Sequence, residues 1–373
     1  MVPGSAEEVA KTLAEANQTG RRLGTDLRIS LERLNRILEY NAADLTISVE
    51  AGTALGEVHT ALSAHRQWLP LSAHRLTVGE ALQGNWSGPF RLFYGTARDM
   101  VIGVRFATVE GKLVKSGGKV VKNVAGYDMA KLLIGSCSTL AVLTQVNFRT
   151  HPVPASRETM ALAFPTADAA LAARTAIQKS VLTPLAMDLL DAAAARFVSP
   201  QELPPGAWIL AVAYGGVDKI IPRYRDELEA TGKASGRTAS ATLSGLDEER
   251  LWTAITDMPL EMEKHAPGAL RLKVTSTLQQ IGPCISAVSA DAVVSRAGTG
   301  VTYLYVDAAD PAAWVDRARS ALTVMGARAV AEYSPKPVDR WGPAGDDFPM
   351  MQELKQVFDP NRILHPGTFV GGL

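Results

Sequence analysis

Cysteine is nearly missing: Cys137 and Cys284 are the only two in 373 residues and form no CxxC arrangement, so neither a disulfide scaffold nor a cysteine-held metal is expected. Net charge is missing too. Thirty-eight Lys and Arg balance thirty-eight Asp and Glu, leaving no basic field to gather nucleic acid or anionic lipid. No apolar run approaches the roughly 20 residues that cross a bilayer. The opening MVPGSAEEVAKTLAEANQ puts no basic region ahead of an apolar stretch, which reads as a cytoplasmic address without a secretory signal. The common catalytic signatures are also absent. Gly84-Asn85-Trp86-Ser87-Gly88 places its serine one position late for a nucleophile elbow, and Gly117-Gly118-Lys119 runs into Val120 rather than completing a Walker A loop. No GxGxxG follows a strand, which argues against a Rossmann site. The six histidines are scattered, with no HxxxH or HExxH, so surface or core positions are expected for them rather than a metal site.

What is present suits a soluble globular chain, with 47% hydrophobic and 20% charged residues and a length two or three times that of a usual domain. Ser5 and Glu8 form an S-x-x-E cap before Val9, Leu13 and Ala16, predicting a helix that Gly20 ends. Leu45–Val49 alternates as a strand. Gly52 closes it, and Thr53 is expected to cap a helix carrying Leu55, Val58 and Leu62. Met100–Val109 and Lys112–Lys115 read as a hairpin about Glu110-Gly111, and Leu140–Phe148 as a further strand. Pro152 and Pro154 then mark a boundary, because proline cannot join a central ladder. Beyond them strands alternate with alanine-rich helices: strands at Trp208–Tyr214, Leu270–Thr275 and Val301–Val306, helices near 217–231 and 311–325. A helix at Asp346–Val357 and the extended FDPNRILHPGTF close the chain.

Glycine is concentrated in three clusters of the first domain: Val78 to Gly88, Tyr94 to Asp99, and Lys122 to Asp128, continuing to Gly135-Ser136. Without a Cβ, glycine lets successive amides converge and a ligand approach the main chain, as a pyrophosphate or a flat ring requires. Each cluster read alone is equally a tight turn between strands.

The wording of the clusters goes further. LSAHRLTVGEALQGNWSGPF, YGTARD and KNVAGYD, in that order, resemble the PCMH-type FAD-binding domain of the vanillyl-alcohol oxidase superfamily, and within it the glycolate oxidase FAD-binding (E) subunit family. Leu34–Tyr40, Val49–Gly52 and Gln67–Pro70 resemble its early portion, Trp341–Pro343 and FDPNRILHPGTFVGGL its closing one. The resemblance implies an α+β fold: a PCMH-type FAD domain of two α/β subdomains at 1–154, an α/β cap domain at 155–332, and a segment at 333–373 returning to the FAD domain. It implies that Gly79, Gly84, Asn85 and Gly88 hold the pyrophosphate and ribityl chain. Gly95 and Asp99 shape the next turn, Asn123, Gly126, Tyr127 and Asp128 line the flavin, and main chain near Val142 meets the adenine. It implies FAD as cofactor, a small 2-hydroxy acid as substrate, flavin-containing D-type and iron–sulfur F-type subunits as partners, and a cytoplasmic place, peripheral to the inner membrane through those partners.

Tyr127 is expected either to flank the flavin or to be a buried tyrosine with a satisfied hydroxyl. Arg98 and Lys122 are expected either to hold a carboxylate or flavin carbonyl or to be solvated, and His365 stands where the family usually has Asn. The chain departs from the pattern in three places. A strand and a Gly-rich loop expected after the first helix are cut to Gly20–Asp26. Glu80 replaces a second glycine beside Gly79, where a carboxylate about 4 Å from a pyrophosphate repels it by roughly 4 kcal/mol at an effective dielectric near 20. Ser138–Val142 lacks both glycines of a GTLGV motif. These departures keep open an alternative, a flavin-free structural subunit of the same complex.

Overall fold

Ser5 accepts the Glu8 amide at 3.2 Å and opens α1 (Ala6–Thr19), which Gly20 closes at a φ of 67°, as the capping pattern predicts. The computed structural model describes residues 1–71, 75–118, 127–198 and 202–373. It divides into two units, Met1–Gly88 with Gly95–Val153 and Pro343–Leu373, and Pro89–Tyr94 with Pro154–Gly342.

The first unit continues through β1 (Ile37–Asn41), β2 (Thr46–Glu50), α2 (Leu55–Ser63), β3 (Gln67–Trp68) and α3 (Val78–Gln83). α4 (Arg91–Tyr94) belongs to the second unit; α5 (Ala97–Met100), β4 (Val101–Ala107), β5 (Leu113–Gly117), α6 (Met129–Leu133), β6 (Val142–Arg149) and β7 (His151–Pro152) resume the first. Its five-stranded sheet has the order β1-β2-β6-β4-β5 with every pair antiparallel. α1 lays Val9 and Leu13 against Ala107, Val109 and Val142, and Ile363 and Leu364 complete that core. Each such aliphatic side chain stabilises by about 1.5–3 kcal/mol. Thr53 does not cap α2. Ala54 holds that position without a side-chain bond, and Thr53 is buried with its hydroxyl donated to the Arg36 carbonyl. Pro152 does enter a ladder, but a two-residue one with Gln67, where its missing N–H costs no central bond.

The second unit runs β8 (Ser156–Phe164), α7 (Ala167–Lys179), β9 (Ala186–Asp191), α8 (Ala192–Val198), β10 (Trp208–Gly216), α9 (Ile221–Ala234), β11 (Ala239–Ser244), α10 (Gly245–His265), β12 (Leu270–Thr275), α11 (Ile281–Ala287), β13 (Ala292–Arg296), β14 (Val301–Val306), α12 (Pro311–Val324) and β15 (Arg328–Tyr333). Its eight strands take the order β11-β8-β10-β9-β13-β14-β12-β15. The two-residue period sends Met160, Leu162 and Leu210 to one core cluster, and Leu270, Leu272, Val274 and Leu304 to another. The intervening residues carry charge instead: Asp188 pairs with Arg296, and Arg271 meets Glu263 and Glu332. Burial alone lowers the Arg271 pKa, and the neighbouring Glu332, Tyr305 and Glu263 more than reverse it.

α13 (Phe348–Phe358) belongs to the first unit, and one buried ammonium fixes it there. Lys355 Nζ donates to Asp359 Oδ2 at 2.7 Å and to the carbonyls of Thr139 and Leu364, both at 2.9 Å. Asp359 in turn accepts the amides of Ile363 and Leu364, so all of its charge is spoken for. Burial pushes the Lys355 ammonium below its ordinary value, with Asp359 opposing. His365, one residue on, sits at a φ of 44°, and a Cβ on Gly24 would lie 3.0 Å from its Nδ1. Burial, and then the Lys355 charge, holds its imidazole below the ordinary value of 6.5.

Replacing Lys355 with Met leaves Asp359 buried without its cation, and should cost about 3–5 kcal/mol, read as a lower urea midpoint at unchanged slope. For His365 the depressed folded pKa means that, as pH falls below 6.5, the unfolded chain takes up the proton first and stability drops. His365→Asn removes that proton site and suits the left-handed backbone better. Its stability advantage over the parent should widen between about pH 7 and about pH 5 in urea titrations; a gap independent of pH would refute the assignment.

Candidate functional site

The first glycine cluster folds as a short helix that uses its own donors. Thr77 and Glu80 close a reciprocal capping box at the start of α3: Glu80 Oε2 accepts the Thr77 amide and hydroxyl, both at 2.9 Å, and Thr77 Oγ1 accepts the Glu80 amide. The Gly79 amide goes to Ala51 O at 2.7 Å, that of Gly84 to Glu80 O at 2.9 Å and that of Asn85 to Leu82 O at 3.0 Å. A Cβ on Gly84 would lie 2.6 Å from Trp86 Cδ1, so the space freed there is filled by an indole ring. Gly88 follows, buried.

The second cluster repeats the device. Gly95, at a φ of 83°, leads into Thr96, whose amide and hydroxyl both donate to Asp99 Oδ2. Asp99 thus caps α5 and shapes the turn. The loop after α6 is brought to α3: the Gly135 and Cys137 amides donate to Leu82 O and Gln83 O, and Asn85, at a φ of 50°, packs against Gly135. Cys137 and Ser138 both adopt positive φ, so the backbone that glycine would favour persists although the glycine is gone. Val142 lies elsewhere. It is buried beneath α1 in the core with Val9 and Leu13.

Of the third cluster, Lys122, Asn123 and Gly126 lie outside the described residues. Tyr127 is 92% exposed, which removes the reading of it as a buried core tyrosine. Its carbonyl accepts from Ser116 Oγ at 3.0 Å, and Asp128 caps α6 through the Lys131 amide. An aromatic ring is thus held out by an anchored main chain. Arg98 donates to Ile134 O at 3.1 Å, at the end of α6. Between α1 and β1 the described residues contain turns and one isolated bridge, Leu23 to Leu27, and no strand.

As α3 stands it does not fit a pyrophosphate. Its N-terminal donors carry the protein's own carboxylate, and the amides of Gly79, Gly84 and Asn85 are all bonded internally. Sequence reasoning saw Glu80 as a repelling charge and missed its cap, although Thr77-Val78-Gly79-Glu80 has the same spacing as Ser5–Glu8. It also missed the Lys355–Asp359 pair, for which the i,i+4 spacing at the end of α13 was the available signal.

Comparison with known proteins places these features. Residues 1–117 match the family described as FAD binding domain, and residues 153–310 and 341–369 match FAD linked oxidases, C-terminal domain. Glycolate oxidase subunit GlcD of Bacillus subtilis is 26% identical over 377 residues, covering 91% of this chain and 78% of that protein. Glycolate oxidase subunit GlcE of Escherichia coli K12 is 37% identical over 122 residues, 32% of this chain and 35% of that one. A solved structure of alkyldihydroxyacetonephosphate synthase superposes with a TM-score of 0.72 at 16% identity, covering 99% of this chain and 76% of that one, a likeness of fold. The fold is the PCMH-type FAD-binding fold, FAD is the cofactor that both matching families name, and the chain belongs to the FAD-linked oxidases.

Proposed function

We propose that this chain is the FAD-binding subunit of a glycolate oxidase-like complex that oxidises a small 2-hydroxy acid, working beside a flavin-containing D-type subunit and an iron–sulfur F-type subunit that receives the electrons. Similarity to two differently named glycolate oxidase subunits supports the reading, one of them along most of the chain. In this proposal the exposed Tyr127 ring and Asp128, with Asn123 and Gly126, face the isoalloxazine, and Gly95 and Asp99 hold the neighbouring turn. Gly79, Gly84, Asn85 and Gly88 receive the pyrophosphate and ribityl chain only after Glu80 leaves Thr77, which uncovers the Thr77 amide. Main chain near Val142 takes the adenine. What the chain's own groups supply is orientation and electrostatics.

A second reading is favoured by a specific observation, the Thr77–Glu80 lock with its internally bonded amides. It makes the chain a flavin-free subunit that keeps the fold to stabilise its partners. Among the described residues no helix is long and apolar enough to cross a membrane.

Flavin content decides between the two. Under the first reading the purified complex releases more FAD than its D-type subunit accounts for, and the isolated chain takes up added FAD. A chain colourless after excess FAD, with and without partners, overturns it in favour of the second. Glu80→Gln keeps a capping side chain and removes the charge. It should tighten FAD binding by about tenfold or more, given a repulsion of up to roughly 4 kcal/mol, measured by flavin fluorescence titration. Equal, tight binding by both proteins would place the phosphates away from α3.

A further inference from the structure

A cavity of about 330 Å³ opens on the five-stranded sheet beside the first turn of α1. Five charges line it: Arg36, Arg105, Lys115, Glu7 and Glu50. Arg36 and Glu50 cancel, since Arg36 Nη2 meets Glu50 Oε1 at 2.8 Å and Nε meets Oε2 at 3.1 Å. Arg105 and Lys115 have no such answer. They stand directly opposite each other on β4 and β5, and neither has an acidic partner among the described residues. Like charges facing across an antiparallel pair destabilise the sheet. Both are exposed at the cavity mouth, and two cations of one sign in a concave surface attract an anion from solvent.

The start of α1 adds to that field. Ser5 satisfies the Glu8 amide and Glu8 satisfies that of Gly4, while Ala6 and Glu7, whose amides come too early in the helix for an intrahelical acceptor, line the cavity. Leu38 and Leu113, 42% and 41% exposed, form an apolar rim on the two edge strands. The lining therefore carries two unanswered cations, one carboxylate able to accept a hydroxyl, and apolar walls, in a volume suited to a small molecule.

We propose that this cavity is a binding site for a small organic oxyanion, a carboxylate or phosphate on a hydroxylated body, whose charge sits between Arg105 and Lys115. The site is separate from the glycine clusters and does not depend on flavin. Its failure would leave the oxidoreductase reading standing, and loss of that reading would leave this one.

Thermal unfolding of the full chain tests it, at fixed ionic strength set with chloride, against rising inorganic phosphate and, separately, glycolate. The melting temperature should rise with at least one of them, and which one identifies the oxyanion. Arg105→Gln and Lys115→Gln should each weaken the apparent affinity by about tenfold, the worth of one charge-assisted hydrogen bond. In chloride alone each variant should be as stable as the parent or more so, because the facing repulsion is gone. Lys112→Gln, which removes a lysine paired with Glu110 outside the cavity, should respond as the parent does. No shift with either anion, or an undiminished shift in Lys115→Gln, overturns the proposal.

Discussion

One buried ammonium decides whether the first unit closes. Removing a lysine from water is expensive, and only a dense set of acceptors repays it. Lys355 finds a carboxylate and two carbonyls, and those belong to segments more than 200 residues apart in sequence, Thr139 in the loop before β6 and Leu364 in the closing stretch. The same loop is tied to α3 through Gly135 and Cys137. Geometry at the glycine clusters is therefore set partly by a residue that none of those clusters contains.

The second unit meets a related constraint with a whole layer. Alternation along its strands gives one face to aliphatic packing and leaves Arg271, Lys273, Asp188 and Arg296 on the other, where each charge is matched by an opposite one. Removing one member strands its partner, and such an array specifies register more than it adds stability.

The fold was legible where local signals act alone. β12 and β14 span the residues that periodicity gave, and α1 carries both of the caps its ends announced. β9, Ala186–Asp191, was not legible because both of its faces are buried: Met187 and Leu189 enter the aliphatic core, and Asp188 on the other face is paired with a distant arginine, a fact no local window holds. The glycine clusters were legible as backbone and less so as chemistry. Their amides serve capping boxes and loop contacts, and a donor's final partner is settled by tertiary closure rather than by residue type. Thr77–Glu80 and Thr96–Asp99 had the right spacing all along, hidden by attention to the glycines beside them.

The chain crosses between the two units four times, at Gly88, Tyr94, Val153 and Gly342. Neither unit is a continuous piece of polypeptide. The core under α1 needs Ile363 and Leu364, so during synthesis the amino-terminal half must wait, with Val9 and Leu13 incompletely covered, until translation passes residue 364. Phe90 waits similarly for Arg157 and Trp252. The second unit is complete at Gly342 and the core of the first at Leu364, so the two finish within a few tens of residues of each other, and until then the first core is open to chaperones.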